Sequence, residues 1–206
     1  MKENKNHVNG SRKGSAFERE ICKKLSLWFS HGDREDLFHR TAGSGARSTV
    51  RAKKGKGTAN SAGDIGYLDA VGKPLMEAVT FELKCGYNHA DTTALIDTLP
   101  QRKKPPLLAF IWQAVVSSRN AKSQYWAVIH KRNGKQTLIH FPLSMWMKIQ
   151  EHYNETTDTV MAEHYTFVQI TYLPSQGGGV KCVVSTPLTK FLEVVPPEVF
   201  CQKSVN

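Results

Sequence analysis

Long apolar runs are absent from this sequence of 206 residues. The longest, residues 107–116, spans ten residues and is interrupted by Gln113, which is about half the length that a helix needs to cross a bilayer. The first ten residues are polar and lack the apolar core of a secretory leader. We therefore expect a cytoplasmic protein. Its composition, 40% apolar and 22% charged, indicates one domain or one domain with an appendage.

Cysteine is also sparse, with four residues that lie far apart in the sequence. There is no C-x-x-C pair, and no histidine stands at the spacing of a zinc finger. Neither a zinc knuckle nor a dense disulfide framework is therefore indicated. Free thiols are expected at all four positions, Cys22, Cys85, Cys182 and Cys201.

Acidic residues are outnumbered, with 18 Asp and Glu against 28 Lys and Arg and a formal charge of +10. This excess favours a polyanionic partner, nucleic acid first, because each neutralised phosphate releases counterions. A basic surface with no ligand is the alternative. The stretch 41–63 contains no acid and is predicted to be a long basic loop, either a solvated one or one that follows phosphates with its five cations, Arg47, Arg51, Lys53, Lys54 and Lys56.

Apolar periodicity predicts two helices. Phe17, Ile21, Leu25 and Trp28 lie on one stripe of a helix that starts at Ser15, and residues 1–13 before it are expected to be a flexible basic arm. A second helix is expected over 107–122. Gln113 lies on it, where it could face the site, although a surface position is favoured.

Strand patterns follow the second helix. Residues 125–131 and 136–141 flank an Asn-Gly pair, which predicts a hairpin. Beyond it, the pattern suggests a helix over 143–150 and strands over 166–173 and 180–185, while 188–195 is ambiguous. We therefore divide the chain into a core over 14–150, with the basic loop at 43–63, and an extension over 151–206 packed on that core.

Residues 79–85 carry the most informative pattern in the sequence. Alternation places Glu82 and Lys84 together on one face of a strand whose other face is apolar. If residues 65–69 form a hairpin with this strand, turning near Lys73, Asp64 lies opposite Glu82, with Cβ atoms about 4.5–5.5 Å apart. The two carboxylates could then share a divalent cation. The alternative is an ion pair of Glu82 with Lys84 and an Asp64 that caps a turn.

Two carboxylates, a backbone carbonyl and several waters form the all-oxygen site that Mg²⁺ prefers. Such a metal polarises a phosphoryl oxygen, and a neighbouring lysine can orient the attacking water. Glu18 is a further candidate ligand if the first helix packs across the sheet. It has an equally good local role, because Ser15 and Glu18 match a capping box.

Four segments resemble, in order, the motifs of the PD-(D/E)XK nuclease superfamily, and within it the archaeal-type Holliday junction resolvases and related phage endonucleases. They are residues 13–20 (KGSAFERE), 39–45 (HRTAGSG), 63–65 (GDI) and 81–84 (FELK). The resemblance covers roughly residues 12–86. It implies an α/β, restriction-endonuclease-like core with a central mixed sheet flanked by helices, here with a C-terminal α+β extension.

The resemblance also implies a set of site residues. Metal ligands would be Glu18, Asp64, Glu82 and the carbonyl of Leu83, with Lys84 as the catalytic lysine and with Mg²⁺ as the cofactor, for which Mn²⁺ would substitute. Arg40 and Ser44 occupy the segment that approaches the DNA backbone in those resolvases. Gly63 stands where the superfamily name has Pro.

We therefore expect a Mg²⁺-dependent DNA endonuclease, resolvase-like and active on branched or duplex DNA in recombination or repair. A resolvase makes paired incisions, so this subtype implies a homodimer, in the cytoplasm of a bacterial or phage-infected cell. A sequence-specific restriction-type endonuclease is one alternative. A nucleic-acid-binding module on the same fold, without hydrolysis, is another.

Overall fold

The computed structural model describes residues 10–41, 60, 62–94, 105–155, 169–174 and 180–201. The helices in these ranges are α1 (Gly10–Phe29), α2 (Lys73–Ala78), α3 (Pro106–Ala121), α4 (Leu143–Glu155) and α5 (Leu188–Val194), with 3-10 turns at Ala70–Gly72 and Pro197–Phe200. The strands are β1 (Phe38–Arg40), β2 (Ile65–Tyr67), β3 (Val79–Cys85), β4 (Tyr125–Lys131), β5 (Thr137–Pro142), β6 (Gln169–Pro174) and β7 (Val180–Pro187). Within the described ranges, no helix combines the length and apolarity that a membrane crossing requires.

Five of the strands form one mixed sheet in the order β3, β4, β5, β7, β6. β3 and β4 are parallel and are connected through α3, because a parallel pair needs a crossover, while the other neighbouring pairs are antiparallel. β1 and β2 form a separate antiparallel ribbon. The predicted α/β, restriction-endonuclease-like fold, with a central mixed sheet flanked by helices, is confirmed.

Each face of the sheet is covered by its own apolar cluster. Phe81 and Ile129 point toward α1 and pack with Ile21 in the larger cluster. Val128, one residue earlier on β4, points to the opposite face and packs against Ile111 of α3. Glu82 follows Phe81 on β3 and therefore projects toward α3, into a layer that is otherwise buried.

The C-terminal segment belongs to the same sheet and core. β7 lies between β5 and β6, and the ambiguous stretch 188–195 is helical as α5. Phe191, Val195 and Phe200 are buried in the cluster on the α1 face. Trp28 of α1 donates its indole N–H to the Val195 carbonyl at 2.8 Å. The predicted helix over 107–122, the hairpin around Asn133, the helix from 143 and the two C-terminal strands are confirmed as α3, β4–β5, α4 and β6–β7.

The predicted hairpin of 65–69 with 78–85 is wrong. β2 pairs with β1, with Arg40 opposite Ile65, and β3 pairs with β4. The connection is helical because Asp69 accepts a hydrogen bond from the Val71 N–H at 2.9 Å and so begins a 3-10 turn. Pro74 then occupies the first turn of α2, where a missing N–H costs nothing.

The predicted start of the first helix at Ser15 is also wrong, because α1 begins at Gly10. Ser15 therefore lies inside the helix and does not cap it. Its hydroxyl accepts a hydrogen bond from Arg40 at 2.8 Å, so the capping box with Glu18 is excluded. Residues 1–9 of the predicted arm lie outside the described residues.

Candidate active site

Glu82 is a fully buried carboxylate at the centre of the candidate site, with 0% of its surface exposed. Three side chains donate hydrogen bonds to it. Ser117 binds Oε1 at 2.8 Å, Gln113 binds Oε2 at 2.7 Å, and the Lys84 ammonium lies 3.3 Å from Oε2. Buried charged groups are tolerated when they are paired and hydrogen-bonded, and Glu82 meets both conditions.

Asp64 lies directly beside Glu82, on the free edge of β3. Its N–H donates to the Phe81 carbonyl at 2.7 Å, and its Oδ2 accepts the Leu83 N–H at 2.7 Å. Thr41 binds this turn from the other side, through its N–H to the Asp64 carbonyl at 2.9 Å. The predicted neighbourhood of Asp64 and Glu82 therefore exists, although a turn against an edge strand creates it and not a hairpin.

Gly63 allows this close approach. Its φ of +74° is in the left-handed region, and a Cβ built on it would lie 2.5 Å from the Phe81 carbonyl oxygen and 2.8 Å from a Thr80 methyl. No side chain fits there. Proline, which the superfamily name has at this position, needs a φ near −65°. Glycine is thus the residue that this particular turn requires.

Burial raises the pKa of Glu82 to about 7, and the negative charge of Asp64 adds to the rise. Lys84 and Ser117 act in the opposite direction because both favour the ionised form. The carboxyl therefore titrates in the neutral range, where a general base or an exchangeable metal ligand is useful.

Lys84 projects beside Glu82 from the same face of β3 and is mostly buried, with 15% of its side chain exposed. Its ammonium lies 5.6 Å from the centre of the Phe110 ring on α3, a cation–π distance. The lysine is thus held between a carboxylate and an aromatic ring, where it can orient a water or neutralise developing charge.

Glu18 and Arg40 form a separate group on the α1 side of the edge. Arg40 donates to Glu18 Oε2 at 2.9 Å and to the Ser15 hydroxyl, so Glu18 is engaged by a cation. The pKa of Cys22 is raised to about 12, chiefly by burial and then by the charge of Glu18, with a smaller contribution from Asp64. The charges of Glu18 and Asp64 therefore both act on this thiol.

The donor set fits a small cation held by two carboxylates. In the parts of the chain that the structure describes, no three His, Cys, Asp or Glu side chains form a ready metal cluster. Asp64 and Glu82 are nevertheless adjacent, and a cation would remove the repulsion that adds to the effect of burial on the Glu82 pKa. The Leu83 N–H points to Asp64, and the carbonyl of the same residue in a strand points to the same edge. Two carboxylates, one carbonyl and waters suit Mg²⁺.

The sequence interpretation anticipated only part of the contribution of α3, because it favoured a surface position for Gln113 over one that faces the site. Gln113 is exposed, as predicted for a surface residue, yet its amide also binds Glu82. Ser117 was not considered. The two are four residues apart and thus share a helix face, and this was the only available signal. The remaining predicted DNA contacts lie outside the described residues: Ser44, Arg47, Arg51, Lys53, Lys54 and Lys56.

A mixed sheet with an acidic turn and an E-x-K strand at its edge defines a nuclease of the PD-(D/E)XK type. A family model described as phage putative PDDEXK endonuclease matches residues 9–201, and the chain belongs to that family. The match includes the C-terminal strands and α5. No curated protein and no solved structure matches the chain.

Proposed function

We propose that this protein is a Mg²⁺-dependent endonuclease that hydrolyses DNA phosphodiester bonds. One observation carries the proposal. Two hydrogen bonds to the β3 backbone, one from the Asp64 N–H to Phe81 and one from the Leu83 N–H to the Asp64 carboxylate, bring two acids and the Lys84 ammonium to one edge of the sheet. The basic charge of the chain supports a polyanionic substrate.

Asp64, Glu82 and the Leu83 carbonyl are the residues that would hold the ion. When bound, Mg²⁺, or Mn²⁺ in its place, supplies Lewis-acid polarisation of a phosphoryl oxygen and lowers the pKa of a bound water. Glu82 must be ionised to act as a ligand. Its pKa of about 7 therefore makes the occupancy of the site dependent on pH in the neutral range.

The other polar residues of the site position these groups. Ser117 and Gln113 each bind one Glu82 oxygen and so set the direction of the carboxylate. Lys84 orients the attacking water and offsets negative charge on the phosphate in the transition state. Lys84 would therefore contact the reacting atoms, whereas Ser117 and Gln113 would act only through Glu82, by orienting its carboxylate.

Glu18 and Arg40 have linked roles in the proposal. Glu18 would leave Arg40 to become a third metal ligand, and the guanidinium would then bind a DNA phosphate. Arginine binds phosphate well because its guanidinium can donate two hydrogen bonds to it. Because Arg40 would change its partner from Glu18 to the phosphate, DNA binding would release Glu18 to bind the metal ion. The cations of the basic loop and Ser44 are proposed as further phosphate contacts.

The favoured subtype is a structure-specific nuclease that resembles Holliday junction resolvases. We propose that it acts as a homodimer on branched DNA, during recombination or repair in the cytoplasm of a bacterial or phage-infected cell. The matching family model describes phage endonucleases, which supports the phage link in this proposal. Cleavage of intact duplex at one recognition sequence would instead indicate a restriction-type enzyme.

A cleavage panel tests the proposal. Labelled linear duplex, single strand, flap and four-way junction are incubated with the protein, with and without Mg²⁺. We expect metal-dependent cuts near branch points, abolished by Asp64→Ala with DNA binding retained. Asp33→Ala, an exposed acid in the turn after α1, is the matched control. Near-wild-type cleavage by Asp64→Ala removes the metal-site assignment, and binding without any metal-dependent product leaves a non-catalytic module.

A further inference from the structure

Tyr87 is a large exposed aromatic residue beside the candidate active site. It follows Lys84 by three positions, and 52% of its surface is in solvent. A single exposed apolar residue needs no special explanation. Three features distinguish Tyr87 from such residues: its contact with the Phe110 ring, the hydrogen bonds that hold its backbone and the charged side chains near it.

Its support is the ring that also holds the catalytic lysine. The Tyr87 ring meets the Phe110 ring in a T-shaped contact with centroids 4.9 Å apart, and Lys84 Nζ lies 5.6 Å from the same Phe110 centroid. Phenol and ammonium therefore both contact one buried side chain. The two distances to its centroid put the Tyr87 ring within about 10.5 Å of the Lys84 ammonium, which is within about three nucleotides of strand at about 3.4 Å per nucleotide.

The backbone around Tyr87 is held by several hydrogen bonds. Gly86 turns the chain with a φ of +88°, and its N–H donates to the Lys131 carbonyl at 3.0 Å. The Tyr87 carbonyl accepts from the Ala90 N–H at 3.0 Å and from His130 Nε2 at 3.3 Å. The ring is thus presented on a fixed loop, so little conformational entropy is lost when a ligand stacks on it.

Two positive side chains lie beside this loop. Lys84 precedes it, and Arg132 follows β4, against which the loop packs, whereas Lys131 points to the α1 face, where it contacts Glu20. Lys84 is paired with Glu82 and Arg132 with Asp91. An aromatic ring among cations is the arrangement by which proteins bind single strands, because the base stacks and the phosphates are neutralised.

We propose that Tyr87 stacks on an unpaired nucleobase next to the phosphate that the active site cuts. The inference rests on the proposed function and deepens it, because it names the substrate feature that is recognised. In continuous duplex both faces of each base are covered by neighbouring bases. A base at a branch point, flap or frayed end has a free face, and Tyr87 would select DNA with such a base.

The test is a binding measurement that requires no cleavage. A duplex with a short unpaired flap, carrying 2-aminopurine at the first flap position, is titrated with the full-length protein in EDTA, and a blunt duplex of equal length is the reference. We expect wild type to change the 2-aminopurine fluorescence. Tyr87→Ala should bind the flap substrate about ten-fold more weakly, with unchanged affinity for the blunt duplex.

Two further variants make the result specific. Tyr87→Phe keeps the ring and should bind within about two-fold of wild type, as expected for stacking. Leu68→Ala truncates another exposed side chain, 64% exposed just past β2, and should leave flap binding unchanged. A misfolded variant would lose affinity for both DNAs and is thereby recognised.

The outcomes separate the two proposals. Equal flap affinity of wild type and Tyr87→Ala, or a loss as large in Tyr87→Phe as in Tyr87→Ala, overturns the stacking subsite while metal-dependent cleavage stands. Tyr87-dependent flap binding without any Mg²⁺-dependent cleavage overturns the nuclease proposal and keeps the subsite as a DNA contact. Absence of DNA binding by wild type overturns both.

Discussion

Glu82 and His140 are two buried ionisable groups on the same face of the sheet. They are in register across it, since Glu82 pairs with Val128 on β4 and Val128 pairs with His140 on β5. Both have 0% exposed surface. Glu82 lies on the edge strand and has three donors, whereas His140 lies in the middle of the sheet and binds only the Ser185 hydroxyl, with Nε2 unpartnered among the described residues.

Burial disfavours the charged form of each group, with opposite consequences. It raises the pKa of Glu82 to about 7 and lowers the pKa of His140 to about 3, where the neighbouring His130 and Arg132 also act. Histidine in the middle of the sheet therefore stays neutral. The glutamate can ionise near pH 7, beside a second acid and an exposed glutamine. Burial alone therefore does not distinguish the two groups, which differ in their neighbours and in their position in the sheet.

Replacing the edge carboxylate should give the largest effect. Glu82→Gln removes a proposed metal ligand and is expected to reduce Mg²⁺-dependent cleavage at least about 100-fold.

The same substitution should change the pH dependence of stability. The Glu82 carboxyl loses its proton near pH 7 in the folded state and near pH 4.5 in the unfolded state. It therefore contributes about 3 kcal/mol of stability at low pH that is lost as the pH rises through this window.

Denaturant unfolding at pH 5 and at pH 8 measures this second effect. The stability of wild type relative to Glu82→Gln should fall between the two pH values. If the difference in the free energy of unfolding between wild type and Glu82→Gln is the same at both pH values, Glu82 does not titrate between them.

The contribution of His140 to stability should have the opposite pH dependence. His140 is neutral in the folded state and takes up a proton in the unfolded state below about pH 6.5, so stability is lost as the pH falls from 6.5 toward 3. At pH 4.5 the loss is about 3 kcal/mol. His140→Gln should flatten this acid limb in a series of unfolding curves. Cleavage at pH 8 should change little, and a large loss there would place His140 in the site.

Weakening the support of Glu82 should move its titration. Ser117→Ala removes a donor to the ionised carboxylate, which raises the Glu82 pKa. The acid limb of the pH–rate profile should shift upward by about one pH unit, since hydrogen bonds to charged groups are worth roughly 1.5–3 kcal/mol. Ser118→Ala is the matched control, because Ser118 is also buried but donates to the Val115 carbonyl. Identical profiles for both variants would contradict the role of Ser117.

Breaking the partly exposed ion pair of Arg40 with Glu18 should have the smallest effect on stability. Arg40→Ala is expected to lower the free energy of unfolding by less than about 1 kcal/mol, because partly solvated ion pairs contribute little. Its DNA affinity should fall, and the slope of log K against log salt should decrease by about one phosphate contact. Lys23→Ala, which breaks an exposed pair with Glu35, should leave this slope unchanged.

Local patterns predicted most of the regular elements. Residues 79–85 alternate as β3 does, the apolar stripe after Pro105 and Pro106 is α3, and the Asn133-Gly134 turn joins β4 and β5. These predictions succeed because each depends on a few consecutive residues and on the burial of one face. The polar face of β3, with Glu82 and Lys84, was predictable for the same reason.

Partners distant in sequence were less predictable. Asp64 was expected near Glu82 through a hairpin, and the true contact goes through backbone hydrogen bonds to an edge strand after α2. Ser117 gave no sign of reaching Glu82, because nothing in a single sequence shows which helix covers which strand. Glu18 was an equally good candidate for a helix cap and for a metal ligand, and only the position of Arg40 shows its partner in the structure.

The periodicities, the positive charge and the order of the acidic motifs can be read from the sequence alone, because they depend on residue types and short spacings. Only the fold shows that β3 is an edge strand, that Asp64 lies against it and that α3 covers Glu82. The fold thereby sets the solvent exposure and the neighbouring charges of Glu82 and of His140, and these two factors shift their pKa values in opposite directions.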